Sequence, residues 1–383
     1  MSSIKDWAFR NLKGDPVIWF IVFMLTIFSM LVVYSATGSL AYQMKGGNTE
    51  YYLFKHSAFA VLSLLAIWVA HRIDYRYYAK LSKLVLWICV PLLIVAWLFG
   101  TEKNEASRWL TIPLINQSFQ PSDLAKLALI VTLASMLSKR QKSIDDFKRA
   151  IVPMLFWIGL ICGLIALTNF SSAILLFLTC MLILFIGRVP VKYFGILVII
   201  CTVFGALAFA IGQRGATAIS RVQDFVTGET PYQAEQAYIA IASGGLIGKG
   251  PGQSDQRNYL PHPYSDFIYA IILEEYGLLG GITVLLLYLA LLYRGMKAAE
   301  DTKRAYGGLL SAGLSFALVV QAWVNMGVAV GLVPVTGLTL PFISMGGTSQ
   351  LFAGISLGII LSVSRGEIET FGETLGNQYK VVA

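Results

Sequence analysis

The stretch VIWFIVFMLTIFSMLVVYSA, residues 17–36, holds twenty consecutive side chains without a formal charge. As a helix rising about 1.5 Å per residue it reaches roughly 30 Å, the depth of a bilayer's hydrocarbon core. It is longer than the roughly 7–15 apolar residues of a signal peptide, so it predicts an uncleaved first membrane span. The rest of the chain repeats the pattern. Of 383 residues, 56% are hydrophobic and 13% charged, with a mean hydropathy of +0.69, whereas a soluble protein carries about 25% charged residues. Spans are predicted at 17–36, 53–71, 84–100, 121–138, 150–168, 170–187, 192–212, 267–293, 309–331 and 347–364. These runs are continuous, not alternating, which excludes a β-barrel and leaves helices to satisfy the backbone in lipid. The expected fold class is all-α, a polytopic integral membrane protein with about ten transmembrane helices. Residues 17–364 form a single domain between tails at 1–16 and 365–383.

Lys and Arg set the orientation. With both termini in the cytoplasm, 20 of the 29 basic residues fall in inner segments and 7 in outer ones, while Lys55 and Lys126 sit inside spans. That asymmetry satisfies the positive-inside rule. It also accounts for the net charge of +8 through contact with anionic membrane lipid, with no nucleic-acid partner required. The large extracytoplasmic loop, 213–265, then connects spans seven and eight.

The four cysteines (Cys89, Cys162, Cys180, Cys201) lie in apolar spans without metal-ligand spacing and read as small buried residues. The three histidines are equally scattered. Ionisable groups inside spans carry more information, because they are costly in lipid and usually face a wet interior. Asp123 and Lys126, in QPSDLAKLALI (120–130), share a helix face at i,i+3. They read equally as a self-neutralising pair or as a polar patch beneath an outer cavity. Arg108, beside Trp109, suits either a headgroup or a bound phosphate. ASGGLIGKGPGQS (242–254) lacks the P-loop pattern, so no nucleotide cofactor is expected; its glycines serve tight turns or, with Lys249, an anion cradle. PYQAEQAYIAIAS (231–243) before it predicts a short amphipathic helix at the membrane surface. Asp266 opens the eighth span as helix-terminal charge or as a partly desolvated base at a water-accessible mouth. Glu274 and Glu275 lie about 100° apart on that helix, so at most one faces a cavity; Glu275 joins the candidate substrate-binding set.

Five segments together resemble the SEDS family (shape, elongation, division, sporulation) over essentially the whole membrane region: ASRWL, FQPSDLAKL, AYIAIASGGLIGKGPGQS, YLPHPYSDFIYAIILEEYG and VNMGVAVGLVPVTGLTLPFISMGGTSQL. GLTLPFIS is closer to the division, FtsW-like branch than to the elongation, RodA-like branch. The resemblance implies a peptidoglycan glycosyltransferase polymerising lipid II at the outer face of the bacterial cytoplasmic membrane, at the septum. Its partners would be a class B penicillin-binding protein and other divisome proteins. Asp266 matches the family's essential acid, acting as general base or as ligand to a divalent cation (Mg or Mn). Arg108, Lys126 and Asp123 match polar residues of the central cavity. This chain departs from the pattern at Asp123, usually Glu, and at Asn169, where the family often has Asp. The alternatives are a lipid II flippase, which fits the composition equally well, and a non-enzymatic division scaffold.

Overall fold

The computed structural model describes residues 11–38, 40, 48–103, 106–112, 117–211 and 215–381. Its helices are α1 (Pro16–Ala36), α2 (Thr49–Arg72), α3 (Tyr75–Phe99), α4 (Pro121–Arg140), α5 (Val152–Ala166), α6 (Phe170–Ile186) and α7 (Lys192–Ile211). After these come α8 (Gly215–Thr227), α9 (Tyr232–Gly244), α10 (Ile268–Asp301), α11 (Ala305–Ala329) and α12 (Thr348–Val381). Each of the ten predicted spans coincides with a helix; α8 and α9 lie within the large loop. Among the described residues, seven helices are long and apolar enough to cross a membrane, and α6 and the described part of α7 are shorter apolar helices.

Helix ends depart from the hydropathy boundaries where caps decide them. Asp74 Oδ1 accepts from Arg76 N at 2.9 Å, so α3 starts nine residues before its apolar run. Asp15 caps α1 by accepting from Val17 N at 2.9 Å, with Pro16 at the first helical position. At the other end of the chain, the expected tail continues α12 as helix to Val381.

Between α3 and α4, β1 (Thr101–Lys103), β2 (Ala106–Ile112) and β3 (Gln117–Phe119) pair antiparallel in the order β1-β2-β3. The strands are too short for a hydropathy pattern to reveal.

Small residues set the closest helix contacts. Gly354 and Gly358 bring α12 against the α2 backbone, where an added Cβ would meet Ser63 O and Ile67 O, each at 2.8 Å. Ser63 Oγ seals the contact by donating to Gln350 O at 2.8 Å. This small-xxx-small arrangement lets backbones approach without help from a hydrophobic driving force. α4 is the central post, with 14 of its 20 residues buried. Large apolar side chains such as Phe20, Phe23, Trp87 and Leu286 point outward instead, as a lipid-facing surface requires. At the end of the bundle remote from Asp266, buried Asp15 receives Arg294 Nε at 2.5 Å and ties α1 to α10.

Candidate active site

Asp266 sits in a turn clamped from the far end of the sequence. Three successive carbonyls are held in place. Tyr264 O accepts from Met345 N at 2.9 Å, Ser265 O from Ser344 Oγ at 2.6 Å, and Asp266 O from Asn325 Nδ2 at 2.8 Å. Asn325 Nδ2 also donates to Leu338 O at 2.7 Å, so one α11 side chain fixes both loops. Asp266 lies two residues before the start of α10 at Ile268, whose cap residue is Phe267, so its side chain does not cap the helix. The Asp266 carboxylate instead accepts only from Ser265 Oγ, at 3.0 Å, and no cation among the described residues pairs with it. Burial, and then the charge of Asp266, raise the pKa of the neighbouring Tyr264 phenol.

This turn forms one wall of a cavity of about 330 Å³. Asp123 and Lys126 of α4 form another, joined Oδ1 to Nζ at 2.7 Å. Their two readings merge: the pair is self-neutralised and lines the cavity. Asp123 Oδ2 stays buried without a hydrogen-bond partner. Two further residues line the cavity from α2. Lys55, whose charge inside a span marked it as facing a wet interior, reaches the cavity with no ion pair among the described residues, and His56 lies 1% exposed beside it. His56 read only as one of three scattered histidines. Asn169 lines the cavity too. Its Oδ1 accepts from Ser172 N at 3.1 Å and caps α6, a task an amide performs as well as a carboxylate.

An apolar groove of about 670 Å³ between α6, α8 and α11 lies next to the cavity, with Asn169 and Leu338 lining both. Ile174, Leu178, Val222 and Val324 line it, and Arg221 at its edge donates to Val335 O at 3.2 Å.

Lys249 and Glu275 do not join this site. α10 breaks at Gly277 (φ 64°, ψ −168°), and the break frees backbone groups that the glycine-rich segment takes up. Lys249 N and Gly250 N donate to Glu274 O (3.0 Å) and Glu275 O (2.9 Å), while Leu278 N donates to Gly245 O at 3.0 Å. The glycines therefore cradle a helix backbone and not an anion. Lys249 Nζ pairs with Glu274 Oε1 at 2.7 Å and Asp255 Oδ2 at 2.9 Å. Glu274 also accepts from Ser254 Oγ at 2.5 Å and Asp255 N at 3.1 Å; Glu275 accepts from Ser254 N at 3.2 Å and from Ser35 Oγ. Both acids are thus buried as loop anchors, so neither faces the cavity and Glu275 does not join the substrate-binding set. They are covered because a buried carboxylate needs donors and this loop supplies them. The predicted surface helix is α9, whose Ala234, Ala237, Ala240 and Gly244 are buried, Gly244 meeting the α10 backbone at Leu273 and Glu274. Arg108 falls in β2, but its side chain lies outside the described residues.

Among the described residues, no three His, Cys, Asp or Glu side chains gather as a resident metal site. The donor set does fit a hydrated divalent ion arriving with a phosphate ligand, which needs only one or two protein carboxylates.

A family model described as "Cell cycle protein", for FtsW, RodA and SpoVE, matches residues 15–369. Stage V sporulation protein E of Bacillus subtilis is 33% identical over 369 residues, covering 93% of this chain and 98% of that protein. A probable peptidoglycan glycosyltransferase FtsW of Geobacter metallireducens is 33% identical over 358 residues, covering 92% and 95%. Two solved structures share the fold. A chain of a peptidoglycan synthase complex aligns with TM-score 0.73 at 23% identity, over 92% of this chain and 98% of that one. The rod shape determining protein RodA of Thermus thermophilus aligns with TM-score 0.68 at 24% identity, over 92% and 97%. A match that runs from the Asp15 cap of the first span through the last, with the clamped Asp266 turn inside it, places this chain in the FtsW/RodA/SpoVE family of cell cycle proteins, the SEDS family.

Proposed function

We propose that this protein is a peptidoglycan glycosyltransferase that polymerises lipid II. One observation carries the reading: Asp266, a carboxylate with no cation paired to it among the described residues, faces a polar cavity that shares Asn169 and Leu338 with an adjoining apolar groove. A sugar with a diphosphate suits the first space and a polyprenyl tail the second. The Lys and Arg asymmetry puts the Asp266 end at the outer face of the cytoplasmic membrane, with both termini inside.

In the reaction, the 4-hydroxyl oxygen of one sugar forms a bond to the anomeric carbon of the other. The bond from that carbon to the lipid diphosphate breaks on the opposite side, inverting the configuration. Asp266 accepts the hydroxyl proton, and the diphosphate leaves with the electron pair. Lys55 is the uncompensated cation available to the developing negative charge; Lys126 shares its charge with Asp123. Arg108 stays a candidate for the same role. In the alternative role Asp266 would hold a Mg or Mn ion in place of accepting the proton, and the ion would supply positive charge for the leaving group.

The FtsW and SpoVE relatives support the division branch and hence a septal location. The solved synthase complex of the same fold supports a class B penicillin-binding protein as partner, within a set of divisome proteins. Transport of lipid II is the weaker reading, since the Asp15–Arg294 pair ties the bundle together at its other end. The test is polymerisation of labelled lipid II by this protein co-purified with its penicillin-binding partner. Asp266→Asn, with folding and complex formation verified, is expected to lose activity by about 10²–10⁴-fold. Polymer at the wild-type rate from that variant overturns the assignment of Asp266.

A further inference from the structure

We infer that His56 is a substrate-positioning contact, accepting a hydrogen bond through Nδ1 from a hydroxyl or acetamido N–H of the sugar bound in the cavity. The inference rests on the reading that lipid-linked sugars fill that space, and it follows from where one proton must go. Ser29 Oγ lies 2.7 Å from His56 Nε2 and 2.7 Å from Ile343 O. A carbonyl only accepts, so the single hydroxyl hydrogen of Ser29 points to Ile343 O. Ser29 then has only lone pairs to offer the ring, and His56 Nε2 must carry the hydrogen between them. The imidazole is thereby fixed as the Nε2–H tautomer, and Nδ1 keeps its lone pair.

That lone pair has no partner among the described residues. Nor is Nδ1 sealed among the buried unsatisfied atoms, unlike its counterpart in His71. The ring borders the cavity that holds Asp266, so its open nitrogen faces the substrate space. The residue before it, Lys55, brings a cation to the same cavity. An acceptor on a rigid buried ring, oriented by Ser29 and the Ile343 loop, selects a donor at one position.

The test uses full-length protein in nanodiscs, labelled with ¹⁵N-histidine. The chain has three histidines, and the His56 signals are assigned by their loss in His56→Phe. Without substrate, the spectrum should show the Nε2–H tautomer, and Ser29→Ala should release that preference. Lipid II should then shift the Nδ1 resonance as the lone pair becomes hydrogen-bonded. His56→Phe should raise KM for lipid II about tenfold, the size of one lost hydrogen bond, while His56→Gln, which keeps an acceptor, recovers part of the loss. An Nδ1–H tautomer, or normal binding and polymerisation with an unmoved Nδ1 signal, overturns the contact alone. Absence of lipid II binding overturns the functional reading and this contact with it.

Discussion

Asn325 holds the backbone of Asp266 from 2.8 Å away, through a nitrogen that also reaches Leu338 O at 2.7 Å. The side chain is 1% exposed, so water cannot replace it. Asn325→Leu keeps the bulk but leaves the buried Leu338 carbonyl and the part-buried Asp266 carbonyl without this donor, at about 1–3 kcal/mol for a buried unsatisfied group. A lowered thermal midpoint together with lost polymerisation is the expected outcome. An unchanged midpoint would show that Asn325 is not what fixes the Asp266 turn.

The Asp123–Lys126 pair separates structure from chemistry. Lys126→Met strands a carboxylate whose side chain is 6% exposed, which typically costs about 3–5 kcal/mol. Asp123→Leu combined with Lys126→Met should recover most of that stability, because no lone charge remains. Activity should not return if the pair also serves the cavity. Denaturation midpoints and lipid II turnover on the three proteins distinguish these cases.

Gly277 is a joint that no other residue fits. Its φ of +64° and ψ of −168° lie in a region essentially reserved for glycine, and an added Cβ would run into the backbone of Ile247 and Gly248. Gly277→Ala should therefore cost more than the roughly 1 kcal/mol of an ordinary left-handed position and should loosen the glycine-rich segment. Faster hydrogen exchange at Lys249 and Gly250, whose amides bond to Glu274 and Glu275, is the readout. Protection equal to wild type would show that the segment is held independently of the break.

Alkaline pH should act through Lys249. Its hydrogen bond to Glu274 raises its pKa above the ordinary 10.5. A raised value means the folded state holds the proton more tightly than the unfolded state. The stabilisation is complete below about pH 10.5 and is lost as pH rises through the folded-state value. Lys249→Met should flatten that part of a stability-versus-pH curve while lowering stability at neutral pH. A curve parallel to wild type above pH 10 would contradict the linkage.

The membrane architecture was legible because every span had to announce itself by length and hydropathy, and the Asp123–Lys126 contact because helical spacing alone creates it. Lys55 was legible as a charge inside a span but not as a neighbour of Asp266, and His56 was not legible as a site residue, since their meeting with Asp266 depends on α2, α4 and α10 converging. Glu275 misled for a related reason. Periodicity tells which way a side chain points on a helix, but not that residues 249–257 fold back to cover it. The glycine-rich run was ambiguous in the same way: its amides do bind negative dipole, and the ligand proved to be the chain's own broken helix.

The groove beside Asn169 has a consequence for how concentration is reckoned. A substrate whose tail never leaves the bilayer reaches this cavity by lateral diffusion in two dimensions. The quantity that saturates the enzyme is then the mole fraction of lipid II in the membrane, not its molarity in the tube. Adding carrier lipid at fixed total lipid II should slow polymerisation as dilution slows a reaction in solution, and adding buffer should leave the rate within each vesicle unchanged.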